Sequence, residues 1–207
     1  MRYILYGDRG SGSAPVEMAL AEIGAAVESR PVPLDRDAQL AAEYRRLNPM
    51  GRVPTLLLPE GTVLTESLAI LLTLADRHPQ AGLLPPPDDP ARAVALRWMA
   101  LVAGEFYPCV TRGDYPERFS ADPAHAPAIK ARAIEMGRDL WRLIEREVAP
   151  APFVLGDRFS LADIYLGFLS RWMGGRTWIP ANCPRIEAMA QAVAARPAIA
   201  PVWARHI

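Results

Sequence analysis

Residues 159–164, Phe-Ser-Leu-Ala-Asp-Ile, are the most specific signal in this chain of 207 residues. Ser160 and Asp163 have the spacing of a capping box, in which two side chains satisfy backbone N–H groups at the start of a helix. Phe159 and Ile164 can form the accompanying hydrophobic staple. An apolar stripe follows at helical spacing and consists of Leu161, Ile164, Tyr165, Phe168, Leu169 and Trp172. The pattern predicts a buried helix beginning at Ser160, and it gives Ser160 and Asp163 a role in folding rather than in catalysis.

Helical patterns fill the rest of the second half of the chain. Asp89 is predicted to cap a helix that has Pro90 at its first position and a kink at Pro108. Further helices are predicted over residues 129–148, about 184–195 and 198–205. The stripe of the first of these consists of Ile129, Ala133, Met136, Leu140, Leu143 and Ile144. No strand of consequence is predicted here, so residues 91–207 are expected to form an all-helical domain.

The first 78 residues have a different pattern, with strands and helices in the order β-α-β-α-β-β-α. The predicted strands cover residues 2–6, 27–34, 55–58 and 62–64, and the predicted helices cover 15–23, 38–47 and 68–77. The order predicts a small mixed α/β domain with a parallel crossover and an antiparallel hairpin. Residues 79–90 contain five prolines and are predicted to form a stiff linker. The expected organisation is therefore a domain of residues 1–78, a linker of 79–90 and a helical domain of 91–207.

The composition is that of a globular protein with balanced charge. Hydrophobic residues make up 51% of the chain, and Lys+Arg and Asp+Glu both total 23. A protein that neutralises several phosphates usually has a basic excess, so nucleic acid is not expected as a partner. The N-terminus lacks a signal-peptide pattern, and the apolar stretches fall short of the roughly 20 residues that span a bilayer. A cytoplasmic location without a membrane partner is expected. Cys109 and Cys183 lack metal-ligand spacing, so no metal is expected.

Residues 48–54, Asn-Pro-Met-Gly-Arg-Val-Pro, lead into the third predicted strand. Because Pro54 has no N–H to donate, the backbone groups of its neighbour Val53 stay free. They could pair with a peptide-like ligand in extended form. The alternative is that Pro54 merely starts a strand.

Thr65-Glu66-Ser67 precedes the last helix of the first domain. A serine hydroxyl and free N–H groups at a helix N-terminus bind anions, and a carboxylate beside them accepts an ammonium group. A γ-glutamyl end carries both charges on one carbon and suits this pair. As the alternative, Thr65 or Ser67 is a plain N-cap.

Together, the mixed α/β domain, the proline-rich linker, the helical domain and these three motifs resemble the cytosolic glutathione transferases over the whole chain. The resemblance implies a thioredoxin-like first domain, with a cis bond before Pro54. It also implies glutathione as co-substrate, a small-molecule electrophile as second substrate, a homodimer and a detoxification role. Arg52, Val53, Pro54, Glu66 and Ser67 are the implied glutathione-binding residues, with Arg52 on the glycyl carboxylate.

Activation of the thiol is expected in the loop between the first strand and the first helix. A free thiol with a pKa near 8.5 is mostly protonated at neutral pH, and lowering that pKa by two units requires about 2.7 kcal/mol. A hydroxyl donor to the charged sulfur supplies roughly 1.5–3 kcal/mol. By resemblance to bacterial serine-type members, Ser11 is the preferred donor, with Ser13 and Tyr6 as alternatives. The loop has no cysteine, which argues against members that form mixed disulfides.

The second substrate is expected against the first long helix of the helical domain, where Pro108 and Pro116 predict irregular backbone. The predicted electrophile pocket consists of Tyr107, Arg112, Tyr115 and Phe119, with Trp172 and Trp178 as candidates to close it. Arg112 favours an acidic or electron-poor substrate. The alternatives to a transferase are a non-catalytic glutathione-binding protein, an interaction module without a glutathione site, and a glutathione-dependent isomerase.

Overall fold

The computed structural model describes residues 2–148 and 151–207. The strands are β1 (Tyr3–Gly7), β2 (Val27–Pro31), β3 (Thr55–Leu57) and β4 (Val63–Thr65). The helices are α1 (Ala14–Ile23), α2 (Ala42–Arg45), α3 (Ser67–Arg77), α4 (Pro90–Leu101), α5 (Tyr107–Asp114), α6 (Ala126–Val148), α7 (Leu161–Leu169), α8 (Gly175–Asn182), α9 (Pro184–Ala194) and α10 (Ala200–His206). The chain divides into two compact units: the first contains Met1–Pro86 and Val193–Ile207, and the second contains Pro87–Ala192.

The first unit contains a four-stranded sheet in the order β2-β1-β3-β4. β1 and β2 are parallel, whereas β1 and β3, and β3 and β4, pair antiparallel. Helices α1 and α3 pack together, and their apolar faces bury Leu20, Ile70 and Leu71 with the strand residue Leu56. The α/β fold class predicted for this part of the chain is confirmed.

The segment between β2 and β3 differs from the predicted helix over residues 38–47. It contains two short 3-10 turns, Leu34–Arg36 and Ala38–Leu40, followed by the one-turn helix α2. The backbone leaves the helical region at Asp37, which has a φ of 53°, and at Ala41, which is extended. The prediction of a continuous helix over residues 38–47 was wrong, because residues 38–40 form a 3-10 turn and the backbone at Ala41 interrupts the helix before α2.

In the second unit, α4 begins as predicted: Asp89 accepts a hydrogen bond from the Ala91 N–H (2.9 Å), with Pro90 at the first helical position. A π-helical segment, Val102–Phe106, then joins α4 to α5. Pro108, which has no N–H, lies at the start of α5, directly after this segment. The helical winding therefore changes close to the position where the sequence predicted a kink.

The helix Pro90–Asp114 has 25 residues and is long and apolar enough to cross a membrane by length and composition. The sequence expectation that apolar stretches fall short of such a length was therefore wrong for this segment. In the second unit α4 packs against α7, and α5 packs against α6. Through these contacts, apolar residues of the helix pack within a helical bundle.

Helices α6 and α8 show where the predicted helical pattern was wrong in detail. The buried residues of α6 are Ala133, Gly137, Trp141 and Ile144, while Met136 of the predicted stripe is exposed. Gly137 lies on the buried face, and the absence of a side chain there matters because a Cβ would approach the Phe106 ring to 3.2 Å. Helix α8 was not predicted, because it contains Pro180 and begins at Gly175, directly after Gly174.

Helix α7 follows its prediction closely. Ser160 and Asp163 form the capping box, and the whole of Leu161–Leu169 is buried. Val154 N–H and Ser160 N–H both donate to the Asp163 carboxylate, each at 2.7 Å, and Ser160 Oγ donates at 3.0 Å. Burial nevertheless raises the pKa of Asp163 to about 6.

Candidate functional site

Three segments named by the sequence analysis meet at one edge of the sheet in the first unit. Thr55, at the start of β3, pairs with Tyr6 near the end of β1 and with Thr65 at the end of β4. The loop 8–13 that follows β1, the Val53-Pro54 step before β3 and the Glu66-Ser67 step after β4 therefore leave the sheet at the same edge. The candidate site is built from these three segments.

The Val53–Pro54 peptide bond is cis, as the resemblance implied. Pro54 and Thr55 are buried. Among the described residues, the backbone N–H and C=O of Val53 have no hydrogen-bond partner. The exposed Arg52 side chain likewise pairs with no carboxylate in the part of the chain that the structure describes. This step of the chain presents backbone polar groups and a cation to solvent.

The carbonyl group just before that step is held by two side chains that the sequence analysis did not assign. Tyr44 Oη donates to the Arg52 carbonyl oxygen at 2.7 Å, and Asn48 Nδ2 donates to the same oxygen at 2.8 Å. The Tyr44 and Thr55 hydroxyls are 2.8 Å apart. Burial raises the pKa of Tyr44, so its hydroxyl keeps the proton that it donates.

The Glu66-Ser67 step has an unusual backbone. Glu66 has a φ of 64°, a region that L residues avoid and that costs on the order of 1–3 kcal/mol. Its side chain is exposed and does not cap α3. Ser67, the first residue of α3, is buried. The first-turn N–H groups of α3, without a cap from Glu66, form an N-terminus able to attract an anion beside a carboxylate.

The loop 8–13 is closed by two serine hydroxyls. Ser11 Oγ donates to the Asp8 carbonyl at 2.8 Å, Ser13 Oγ lies 3.2 Å from the same oxygen, and the two hydroxyls are 2.9 Å apart. Ser11 is 8% exposed and Ser13 is 3% exposed. Because two hydroxyl protons share one carbonyl acceptor, either can turn to a ligand while the other keeps the carbonyl satisfied.

Two further features fix this loop. The Asp8 carboxylate accepts hydrogen bonds from Arg9 N–H and Leu34 N–H, both at 2.8 Å, which ties the loop to the chain after β2. Gly7 must lack a side chain, because a Cβ there would lie 2.2 Å from Ser13 Oγ. Although Ser13 precedes α1, it does not cap that helix. Sequence reasoning missed Asp8, whose only signal was its place in a glycine- and serine-rich loop.

Tyr6 is engaged elsewhere. Its hydroxyl accepts a hydrogen bond from Arg30 Nη1 at 2.9 Å, and the Arg30 guanidinium also lies over its ring. The Tyr6 ring also contacts the Tyr44 ring, and the two ring centroids are 6.1 Å apart. Because the Tyr6 oxygen accepts the hydrogen bond from Arg30, its own O–H is still able to donate, so Tyr6 stays an alternative to the serines.

The four residues predicted for the electrophile pocket lie in the second unit and make three separate sets of contacts. Arg112 lies over the Phe119 ring, and Tyr115 lies under the guanidinium of Arg118. Tyr107 instead contacts the rings of Tyr165 and Trp172. A small groove in this unit is lined by Phe106, Ile134, Gly137, Arg138, Trp141, Trp172, Met173, Gly175 and Trp178. It contains both tryptophans expected to close the pocket but none of the four predicted residues.

The sheet with its cis proline, followed in the chain by a helical unit, defines a thioredoxin-like domain joined to a helical domain. The family model described as "Glutathione S-transferase, N-terminal domain" matches residues 13–77. The uncharacterized GST-like protein YncG of Escherichia coli K12 is 30% identical over 98% of this chain and 97% of its own length. The maleylacetoacetate isomerase of Pseudomonas aeruginosa is 30% identical over 92% of this chain and 90% of its own.

Structural comparison agrees with the sequence comparison. A crystal structure of a glutathione transferase homolog from Sulfitobacter, with bound glutathione, has a TM-score of 0.91 and 30% identity, covering 98% of this chain and 97% of its own. The chain therefore belongs to the glutathione transferase family. The predicted family and the two-part fold are confirmed.

Proposed function

We propose that this protein binds glutathione at the sheet edge of the first unit and lowers the pKa of its thiol for attack on a small electrophile. The observation that carries the proposal is the register Tyr6–Thr55–Thr65, which brings the serine loop, the Val53 backbone and the Glu66-Ser67 step to one edge. Each segment supplies a different group that the tripeptide requires.

The γ-glutamyl end of glutathione fits the start of α3. Its carboxylate would lie at the helix N-terminus near Ser67, and its ammonium group beside the exposed Glu66. The cysteinyl backbone would pair in extended form with the free N–H and C=O of Val53, while Pro54 starts the strand behind it. Arg52 would pair with the glycyl carboxylate.

Thiol activation is assigned to the serine loop, with Ser11 preferred over Ser13. A hydroxyl that turns from Asp8 to a thiolate supplies a charge-assisted hydrogen bond of roughly 1.5–3 kcal/mol. The uncapped N-terminus of α1 adds about 0.3–1 kcal/mol. Together they are of the size needed to move a thiol pKa by two units, about 2.7 kcal/mol.

The second substrate is proposed to be small and hydrophobic or electron-poor, bound near Tyr107, Arg112, Tyr115 and Phe119. The similarity to a maleylacetoacetate isomerase over most of both chains favours a second reaction, a glutathione-dependent isomerisation. In that reaction the thiolate adds to an activated double bond and is expelled again. A cytoplasmic homodimer that acts in detoxification is proposed from membership of the family.

The test is an ultraviolet titration of the thiolate in the glutathione complex, for wild type, Ser11→Ala and Ser13→Ala. We expect the bound thiol to ionise well below its free pKa, and Ser11→Ala to restore the free value. If Ser13→Ala alone restores it, the donor is Ser13. A normal pKa in the wild-type complex would indicate a binding protein without activation, and absence of binding would favour an interaction module.

A further inference from the structure

Helix α10 reaches the serine loop of the first unit from the far end of the sequence. The Gly10 N–H donates to His206 Nδ1 at 3.0 Å, and Arg9 Nη2 donates to the Ile207 backbone oxygen at 3.1 Å. Gly10 has a φ of 70°, and a Cβ there would lie 3.4 Å from the His206 carbonyl oxygen. His206 is 7% exposed, so its contact with the loop is buried.

These contacts define the tautomer of His206. Because Nδ1 accepts the Gly10 N–H, it carries no proton, and the ring proton belongs to Nε2. Nε2 lies 2.8 Å from Glu17 Oε2 on α1, and Arg205 donates to the other oxygen of that carboxylate. Burial raises the pKa of Glu17, but the hydrogen bonds from His206 and Arg205 outweigh it, so the pKa is lowered. An ionised Glu17 thus keeps the proton on Nε2 and leaves Nδ1 free to accept.

We propose that His206 is a positioning residue for thiol activation, because its Nδ1 fixes the Gly10 amide and with it the turn that presents Ser11. The inference rests on the proposed function of the serine loop. The Ser11 N–H closes that turn on the Asp8 carbonyl at 3.3 Å, so the peptide held by His206 lies inside the turn. The bond between Arg205 and Glu17 attaches α10 to α1, whereas the Nδ1 bond reaches the loop itself.

Two substitutions separate positioning from packing. In His206→Asn the amide oxygen takes the place of Nδ1 as acceptor for Gly10, while the donor to Glu17 is lost. In His206→Gln the amide nitrogen takes the place of Nε2 as donor to Glu17, while the acceptor for Gly10 is lost. The variants therefore form a matched pair, in which each keeps one of the two hydrogen bonds.

The thiol pKa of bound glutathione is the first measurement. We expect His206→Gln to raise it by about one unit, a tenfold loss of thiolate relative to thiol, and His206→Asn to rescue most of that change. Thermal unfolding of both variants reports the structural part separately. Equal shifts of the pKa in the two variants, or a shift only in His206→Asn, would overturn the inference.

The second measurement does not depend on activation. Hydrogen exchange of the Gly10 amide should be faster in His206→Gln than in wild type and His206→Asn, and equal rates in all three would contradict the proposal. In wild type, ¹⁵N spectra should show Nδ1 without a proton, whereas a protonated Nδ1 would rule out the Gly10 bond even if both variants fail to fold. If wild type leaves the thiol pKa unchanged while the Gly10 amide behaves as expected, the proposed function fails and the loop contact stands.

Discussion

Helices α4 and α7 of the second unit begin differently from α1 and α3 of the first unit. In the second unit α4 is capped by the Asp89 side chain, and α7 by the box of Ser160 and Asp163. In the first unit neither Ser13 before α1 nor Glu66 before α3 caps its helix. Capping stabilises a helix by about 0.5–2 kcal/mol, so its omission at the sheet edge has an energetic cost. The comparison shows that side-chain caps begin these two helices of the second unit, whereas α1 and α3 begin without a side-chain cap.

The largest effect should come from removing the acceptor of the α7 box. Asp163→Ala leaves three buried donors without a partner, from Val154 and Ser160. At about 1–3 kcal/mol for each unsatisfied group, we expect a loss of at least about 3 kcal/mol in the free energy of unfolding, measured in urea. A loss below about 1 kcal/mol would show that the box is dispensable.

The same carboxyl group should make stability depend on pH. The pKa of Asp163 in the folded protein is about 6, above its ordinary value of 3.8, so the folded state binds the proton more tightly. This contribution is fully present below about pH 4 and is lost as pH rises through 6, which amounts to about 2–3 kcal/mol. Urea unfolding of wild type and Asp163→Asn across this range measures it. Parallel pH profiles of the two proteins would contradict the assignment.

Glu66 tests the uncapped start of α3. In Glu66→Gly, the positive φ no longer carries its steric cost of about 1–3 kcal/mol, and this gain exceeds the roughly 0.5–1 kcal/mol of entropy that glycine loses on folding, so stability should rise. Loss of the carboxylate should weaken glutathione binding about tenfold or more, since a charged hydrogen bond contributes roughly 1.5–3 kcal/mol. Calorimetric titration and thermal unfolding of the same preparations measure the two effects. Glu66→Gln, which keeps the strained backbone, is the control, and unchanged affinity in both variants would exclude Glu66 from the site.

The smallest effect should come from the α4 cap. Asp89→Ala removes the acceptor of the Ala91 N–H and a partner of Arg158, and the expected cost is about 1 kcal/mol. Asp89→Asn, which retains a capping oxygen, should lose less. Urea unfolding compares the two variants. If both equal wild type, the capped and uncapped helix starts do not differ energetically.

Local sequence signals predicted the second unit's caps and the order of elements well. Asp89 and the Ser160–Asp163 box bond backbone groups that lie only a few residues away in the sequence. The spacing of these residues is therefore enough to predict the caps. The same holds for the Val53-Pro54 step, whose place before a strand was visible in the sequence. The predicted glutathione and electrophile residues remain predictions.

Tertiary contacts account for what the sequence did not predict. Tyr44 lies within the helix predicted over residues 38–47, but its hydroxyl donates a hydrogen bond to the Arg52 carbonyl. Gly137 faces the core, where Phe106 lies against it. A search for hydrophobic periodicity does not count glycine as a core residue. His206 belongs to none of the motifs found in the sequence, yet it is buried against Glu17 and Gly10. Each of these contacts joins residues whose proximity no local pattern encodes.

The first unit is discontinuous in sequence, since Val193–Ile207 packs with Met1–Pro86 while Pro87–Ala192 forms the second unit. During synthesis, the ribosome must therefore produce the entire second unit before α10 is available to its partner α1. Until then, the nascent first unit has its sheet and α3 but not the contacts of His206 and Arg205 with Glu17. The contact between His206 and the Gly10 amide of the serine loop can therefore form only after the helical unit has been made.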